Sequence, residues 1–119
     1  MSERNLVGPL KLDKEVVRKK VPQEMGNYIF VDKNNYARYV GRSDSDIQTE
    51  IIQEMDTDRA NGCTHFYYSI AKSVRDAYET ECTDYHKYGG KAKLNNSNHP
   101  DEPAEHKYPC PVPGCNHPE

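Results

Sequence analysis

Apolar residues in this chain come in short bursts between polar turns, and their spacing changes from burst to burst. Residues 1–12 show no sustained period, and Gly8-Pro9 breaks them, so this stretch reads as loose. Asp13 is placed to cap a short basic helix over Lys14–Lys20 that Val21-Pro22 ends. Two alternating runs follow, Asn27-Tyr28-Ile29-Phe30-Val31 and Ala37-Arg38-Tyr39-Val40, with the hairpin-loop composition Asp32-Lys33-Asn34-Asn35 between them. Side chains alternate along a strand, so Tyr28 and Phe30 share one face, Ile29 and Val31 the other, and Tyr39 points with Ala37. Ser45-Asp46-Ile47-Gln48 has capping-box spacing and opens a helix with Ile47, Ile51, Ile52 and Met55 on its apolar side; Asn61-Gly62 ends it. Residues 64–69 are rich in β-branched and aromatic types and predict a third strand. Ser73-Val74-Arg75-Asp76 again has cap spacing and starts a helix reaching His86 or Tyr88, which Gly89-Gly90 stops.

Helix, hairpin, helix, strand, helix and tail make a small α+β fold: a three-stranded antiparallel sheet flanked by helices. Three regions are expected: an N-terminal arm with the short basic helix (1–21), the main domain (22–100), and a Cys/His tail packed on the last helix (101–119). The tail region is extended and looped, because six of the eight prolines lie beyond residue 90. At 119 residues, 34% hydrophobic, with a mean hydropathy of −1.03 and no Trp, the chain has a lean core. Such a core benefits from a staple such as a metal or a partner. There is no apolar run of membrane-spanning length and no signal-peptide pattern, so a membrane partner is not expected and the expected compartment is the cytoplasm, including nucleoid association. In that reducing setting the four Cys argue for metal or free thiols over disulfides.

The net charge of −3 conceals a segregation. Residues 1–43 hold nine Lys/Arg against five Asp/Glu, whereas residues 44–58 hold six acids and no Lys or Arg. A nucleic-acid binder needs a basic footprint, and the first third supplies one, joined by Lys72, Arg75, Lys87, Lys91 and Lys93. The acidic segment 44–58 suits a protein partner instead.

Gly26-Asn27-Tyr28 and Tyr39-Val40-Gly41 place two phenols on one hairpin face beside glycines that let backbone or ligand approach. On the last helix Ala77 and Glu81 are four apart and share a face. This combination resembles the GIY-YIG endonuclease family, with Asn27 and Val40 standing where that family has isoleucine. The likeness extends to Glu81-Cys82-Thr83-Asp84-Tyr85-His86 and then Leu94, Asn96, His99 and Pro100, covering about two-thirds of the chain, residues 22–100. The resemblance implies DNA as the substrate and a catalytic set of Tyr28, Tyr39, Arg42, Glu81 and Asn96. It implies Glu81 as the carboxylate for Mg²⁺ or Mn²⁺, tyrosines that position or deprotonate water, and Asn96 as a brace across the site. Arg42, Lys91 and Lys93 would contact nucleic acid. The sequence departs from the family at one place. The usual arginine three residues past an aliphatic position is here Glu50, three past Ile47. Losing one such transition-state donor is worth about 2.7–4 kcal/mol, and Arg42 is the nearest replacement.

The Cys and His residues form a second constellation. Cys82 and His86 lie at i, i+4 on one helix face, and Cys110-Pro-Val-Pro-Gly-Cys115 is a knuckle whose Pro and Gly bend two sulfurs together. Joined, they make a Cys₃His set for structural Zn²⁺ that pins the tail to the last helix. A local alternative uses His106, Cys110, Cys115 and His117, where His117 is a tight fit only two residues after Cys115. Cys63 and His65 read as structural. The functional expectation is a metal-dependent endonuclease; the alternatives are a degenerate nucleic-acid-binding module and a protein-interaction domain.

Overall fold

The structure, a computed structural model, describes residues 5–96, 98–103 and 108–115. Its regular elements are β1 (Val7–Lys11), α1 (Lys14–Lys20), β2 (Gly26–Asp32), β3 (Ala37–Ser43), α2 (Ile47–Glu54), β4 (Cys63–Ile70) and α3 (Val74–Lys87). Short 3₁₀ turns occupy Asp58–Ala60 and Gly90–Ala92. The sheet has four strands, not three, all antiparallel in the order β1-β4-β2-β3. The added strand is β1, formed from residues expected to be loose. Gly8-Pro9 breaks the pattern in sequence but is tolerated because β1 is an edge strand, and the register with β4 shifts between Val7 and Leu10.

Strand β2 runs between β4 and β3 and is buried from Gly26 to Val31, so its two faces feed two cores. Tyr28 and Phe30 pack with Phe66 of β4, Val17 of α1, Val21, and Ile47 and Ile51 of α2. Ile29 and Val31 pack with Val40, Tyr85 of α3 and Leu94. The alternation predicted for β2 is therefore the plane dividing α1 and α2 from α3. Fully burying one large apolar side chain is worth about 1.5–3 kcal/mol, so β2 contributes to both layers at once. Ala37, however, packs with Ile29 and Val31, opposite to Tyr39. A bulge explains this: Phe30 pairs with Tyr39 but Val31 pairs with Ala37, so Arg38 is the extra residue and the phase flips.

Both motif glycines are positions of close approach. A Cβ on Gly41 would lie 2.3 Å from Cζ of Tyr28, and one on Gly26 would lie 2.2 Å from the Ser69 carbonyl oxygen. The N-cap of α2 is Asp46, one residue later than predicted. Its carboxylate accepts from Thr49 N at 3.1 Å, while Ser43 Oγ takes the Asp46 amide at 2.8 Å. The helix ends at Glu54 rather than running to Asn61-Gly62, and the 3₁₀ turn fills the gap. Helix α3 starts as expected: Ser73 caps it at the Asp76 amide, 3.0 Å away, and Gly89 follows it with φ +100°.

Candidate functional site

Strand β3 is the other edge of the sheet, and there the two layers meet around a polar cavity of about 180 Å³. It is lined by Tyr39, Arg59, Glu81, Asn96, Asn98, His99, Pro100 and Asp101. Tyr39 reaches it from the α1/α2 side and Glu81 from α3. An open strand edge exposes backbone donors and acceptors, and Asn96 occupies that edge. Its Oδ1 accepts from Val40 N at 3.1 Å and its Nδ2 donates to Val40 O at 2.9 Å. The amide thus acts as one rung of an extra strand, and the Asn95 N–H adds a bond to the Arg38 carbonyl. This placement holds the segment after α3 against β3.

Tyr28 lies beneath the cavity rather than in its wall. It is 1% exposed, its ring centroid is 6.1 Å from that of Tyr39, and its phenol presses on the face of Gly41. Burial, followed by the acidic neighbours Tyr39, Glu50, Glu54 and Glu81, which disfavour a second ionisation beside them, holds its pKa well above the ordinary tyrosine value. Burial also raises Tyr39, and so does Glu54, whose carboxylate accepts the phenol's hydrogen bond. Both phenols therefore stay protonated at neutral pH.

Glu81 is 8% exposed. Desolvation raises its pKa from the ordinary 4.5 to about 7, outweighing the Arg42 guanidinium that donates to it at 2.6 Å; Asp44 and Asp101 push the same way. Arg42 is engaged on two sides, with Nε on Asp44 at 2.9 Å, Nη1 on Glu81, and its guanidinium carbon 5.4 Å from the centroid of Tyr78. The cation that the sequence offered as phosphate ligand is thus committed to carboxylates. Lys91 and Lys93, in and after the Gly90–Ala92 turn, are exposed and do not line the cavity. Glu50 is not in the wall either, and burial followed by Glu54 raises its pKa.

Arg59, Asn98, His99 and Asp101 line the cavity and were not assigned from sequence. Arg59 pairs with Glu54, Nε to Oε2 at 3.4 Å, with about half its side chain exposed. Its signal was visible in retrospect: it is the first cation after the acidic run 44–58. Glu81 and Asp101 are the two carboxyl groups of the cavity wall, Glu81 being bonded to Arg42, while the Asn96 amide is spent on Val40.

A second group lies behind this wall. One ligand atom from each of His86, His99, Cys110 and Cys115 falls within 4.8 Å of every other, a group that could hold a metal such as zinc. His99 takes the place the sequence gave to Cys82. The Cys82 thiol instead packs with Tyr78 and Cys110 in a small core, where burial pushes its pKa up to about 12. His106 and His117 of the local alternative lie outside the described residues. All four cysteines are free thiols. Cys63 is half-buried beside the α1/α2 core, and His65 bonds to Thr64 Oγ1 at 2.9 Å. No protein-family model, curated protein or solved structure matches this chain. Among the described residues no helix is long and apolar enough to cross a membrane.

Proposed function

We propose that the chain is a GIY-YIG-type endonuclease that hydrolyses DNA phosphodiester bonds with Mg²⁺ or Mn²⁺. The observation that carries this reading is the meeting of Tyr39, Glu81 and Asn96 in one polar cavity, with the Tyr28 ring packed against that of Tyr39 at 6.1 Å in a tilted contact. The buried Glu81 carboxylate and the facing Asp101 fit a divalent cation, which when bound supplies charge for the leaving oxygen. Tyr39 is held as a phenol by burial and by Glu54, which accepts its O–H, so its task is to orient a water through its oxygen lone pairs, not to act as a standing phenolate. Tyr28 and Gly41 set the height of that ring. Arg59, half-exposed in the wall and held by a longer 3.4 Å ion pair to Glu54, is the lining cation placed to turn toward a phosphate, because Arg42 is bonded to both Glu81 and Asp44. Asn96 fixes the wall to β3.

A second reading, a degenerate nucleic-acid-binding or protein-interaction module, is favoured by one observation: Glu50 and Glu54 lie close enough to the tyrosine pair to raise Tyr28. Nicking of supercoiled and branched DNA with Mg²⁺ or Mn²⁺ separates the two. Weak metal-dependent nicking is expected. Glu81→Ala is expected to abolish it, Arg59→Ala to reduce it at least tenfold, and Glu50→Arg to raise it. Inactive wild type together with inactive Glu50→Arg would leave the binding module as the better account. Activity unchanged in Glu81→Ala would mean that another nuclease was being measured.

A further inference from the structure

We propose that His86, His99, Cys110 and Cys115 form a closed structural Zn²⁺ site that fixes one wall of the β3-edge cavity. Two thiolates and two imidazoles are the donor set of a four-coordinate structural zinc, with no position left for a reacting water. In a tetrahedral site, metal–ligand lengths of about 2.0–2.3 Å put neighbouring ligand atoms about 3.3–3.8 Å apart. The four atoms here are all within 4.8 Å of one another, and Cys115 Sγ to His99 Nε2 is already 3.4 Å. Small side-chain rotations close the rest.

Four further observations point to an ion rather than to a chance cluster. The Nε2 of His86 is buried and has no hydrogen-bond partner among the described residues. Leaving such an atom unsatisfied costs about 1–3 kcal/mol, and coordination removes that cost. The Nδ1 of His99 lies 2.9 Å from the Pro100 carbonyl oxygen, which can only accept; this puts the proton on Nδ1 and leaves the Nε2 lone pair facing Cys115. A backbone carbonyl orienting an imidazole in this way is the usual outer support of a zinc ligand. The two sulfurs come from a turn built to bring them together: Gly114 adopts φ +88° and Cys115 N donates to Val112 O at 3.2 Å. The Tyr85 ring stands edge-on to both imidazoles, 5.3 Å from each centroid, and supplies an apolar wall.

The functional consequence follows from His99, which belongs to both places. It is one of the four candidate ligands and it also lines the cavity, with Pro100 and Asp101 immediately after it. An ion held by α3 through His86 and by the tail through Cys110 and Cys115 therefore anchors the wall that carries Asp101. In this sense zinc deepens the nuclease reading, but its test does not depend on cutting.

The test is metal content by elemental analysis of the purified chain, with Co²⁺ substitution for geometry. One zinc per chain is expected, and the cobalt form should show tetrahedral d–d bands and thiolate-to-cobalt charge transfer. His99→Ala and Cys115→Ser should lose the metal, and Cys82→Ser should keep it. Should a variant fail to fold, hydrogen exchange of wild type with and without chelator gives the independent reading: protection over residues 94–103 should fall at least tenfold while residues 26–32 keep theirs. Wild type without zinc and without the cobalt spectrum overturns the site. So does loss of metal in Cys82→Ser with retention in His99→Ala. Unchanged exchange over 94–103 on chelation overturns the coupling to the cavity. Nuclease inactivity alone leaves all these readouts in place and counts against the other proposal.

Discussion

Glu81 carries opposing demands that can be separated by pH. Burial makes its charge expensive, Arg42 offsets part of that, and the balance raises its pKa to about 7. A carboxyl group that binds its proton more tightly in the folded chain stabilises the fold below its unfolded pKa. It loses that contribution as pH climbs through the folded value. The window here runs from the ordinary 4.5 to about 7. Glu81→Gln copies the neutral form, so it should match wild type near pH 4.5 and exceed it at pH 8 in chelated buffer by about 3 kcal/mol. Thermal melts across that range are the check; a constant difference at all pH values would mean that ionisation of Glu81 does not strain the fold. Gly41 is the other single-residue test. Alanine there would meet the Tyr28 ring at 2.3 Å, so Tyr28 must shift and Tyr39 with it. Overpacking of this kind costs about 1–3 kcal/mol, read as a lowered melting temperature with altered near-ultraviolet circular dichroism; an unchanged melt would show that the phenol has room to move.

At the level of elements, what the sequence revealed depended on whether an element's pattern is local. The hairpin faces, the Ser73 cap and the Gly89 stop were legible because alternation, capping and positive φ are set by neighbours in the chain. Strand β1 was not, since its five residues are mostly exposed and show no alternation; only pairing with β4 makes it a strand. The flip at Ala37 follows from a bulge that no residue type announces. The candidate site shows the same division. Tyr39, Glu81 and Asn96 were implied by the family resemblance that their motifs carry, and the structure brings them to one cavity. Arg59 and His99 arrive there through tertiary contact alone. Cys82 looked like the partner of His86 because i, i+4 spacing is visible in sequence. The contact between His99 and Cys115, sixteen residues apart, is not. Helical spacing states which residues share a face, and only packing states what that face meets.

The whole molecule divides its labour between the two edges of one sheet. β3 is the open edge where the polar cavity forms, and β1 covers the opposite edge of β4. Strands are spaced about 4.8 Å apart, so the two edges stand about 14 Å from each other across three intervals. Leu10 and Leu12 also pack against the α1/α2 core, and Leu12 N bonds to the Thr64 carbonyl at 3.0 Å. Removing residues 1–12 would therefore uncover an eight-residue strand, β4, with its outer backbone groups unpaired, and strip apolar cover from that core. An exposed edge of that length is a template for pairing with another chain. The truncated protein should melt lower and self-associate as its concentration rises, while the Tyr39, Glu81 and Asn96 geometry at the far edge persists in the monomer. Light scattering and thermal melts test the first half. Chemical-shift agreement with the full chain at Val40 and Asn96, measured at low concentration, tests the second. A monodisperse truncation with an unchanged melt would show that β1 is not what protects this edge. Shifted resonances at Val40 and Asn96 would show that the two edges are mechanically coupled after all.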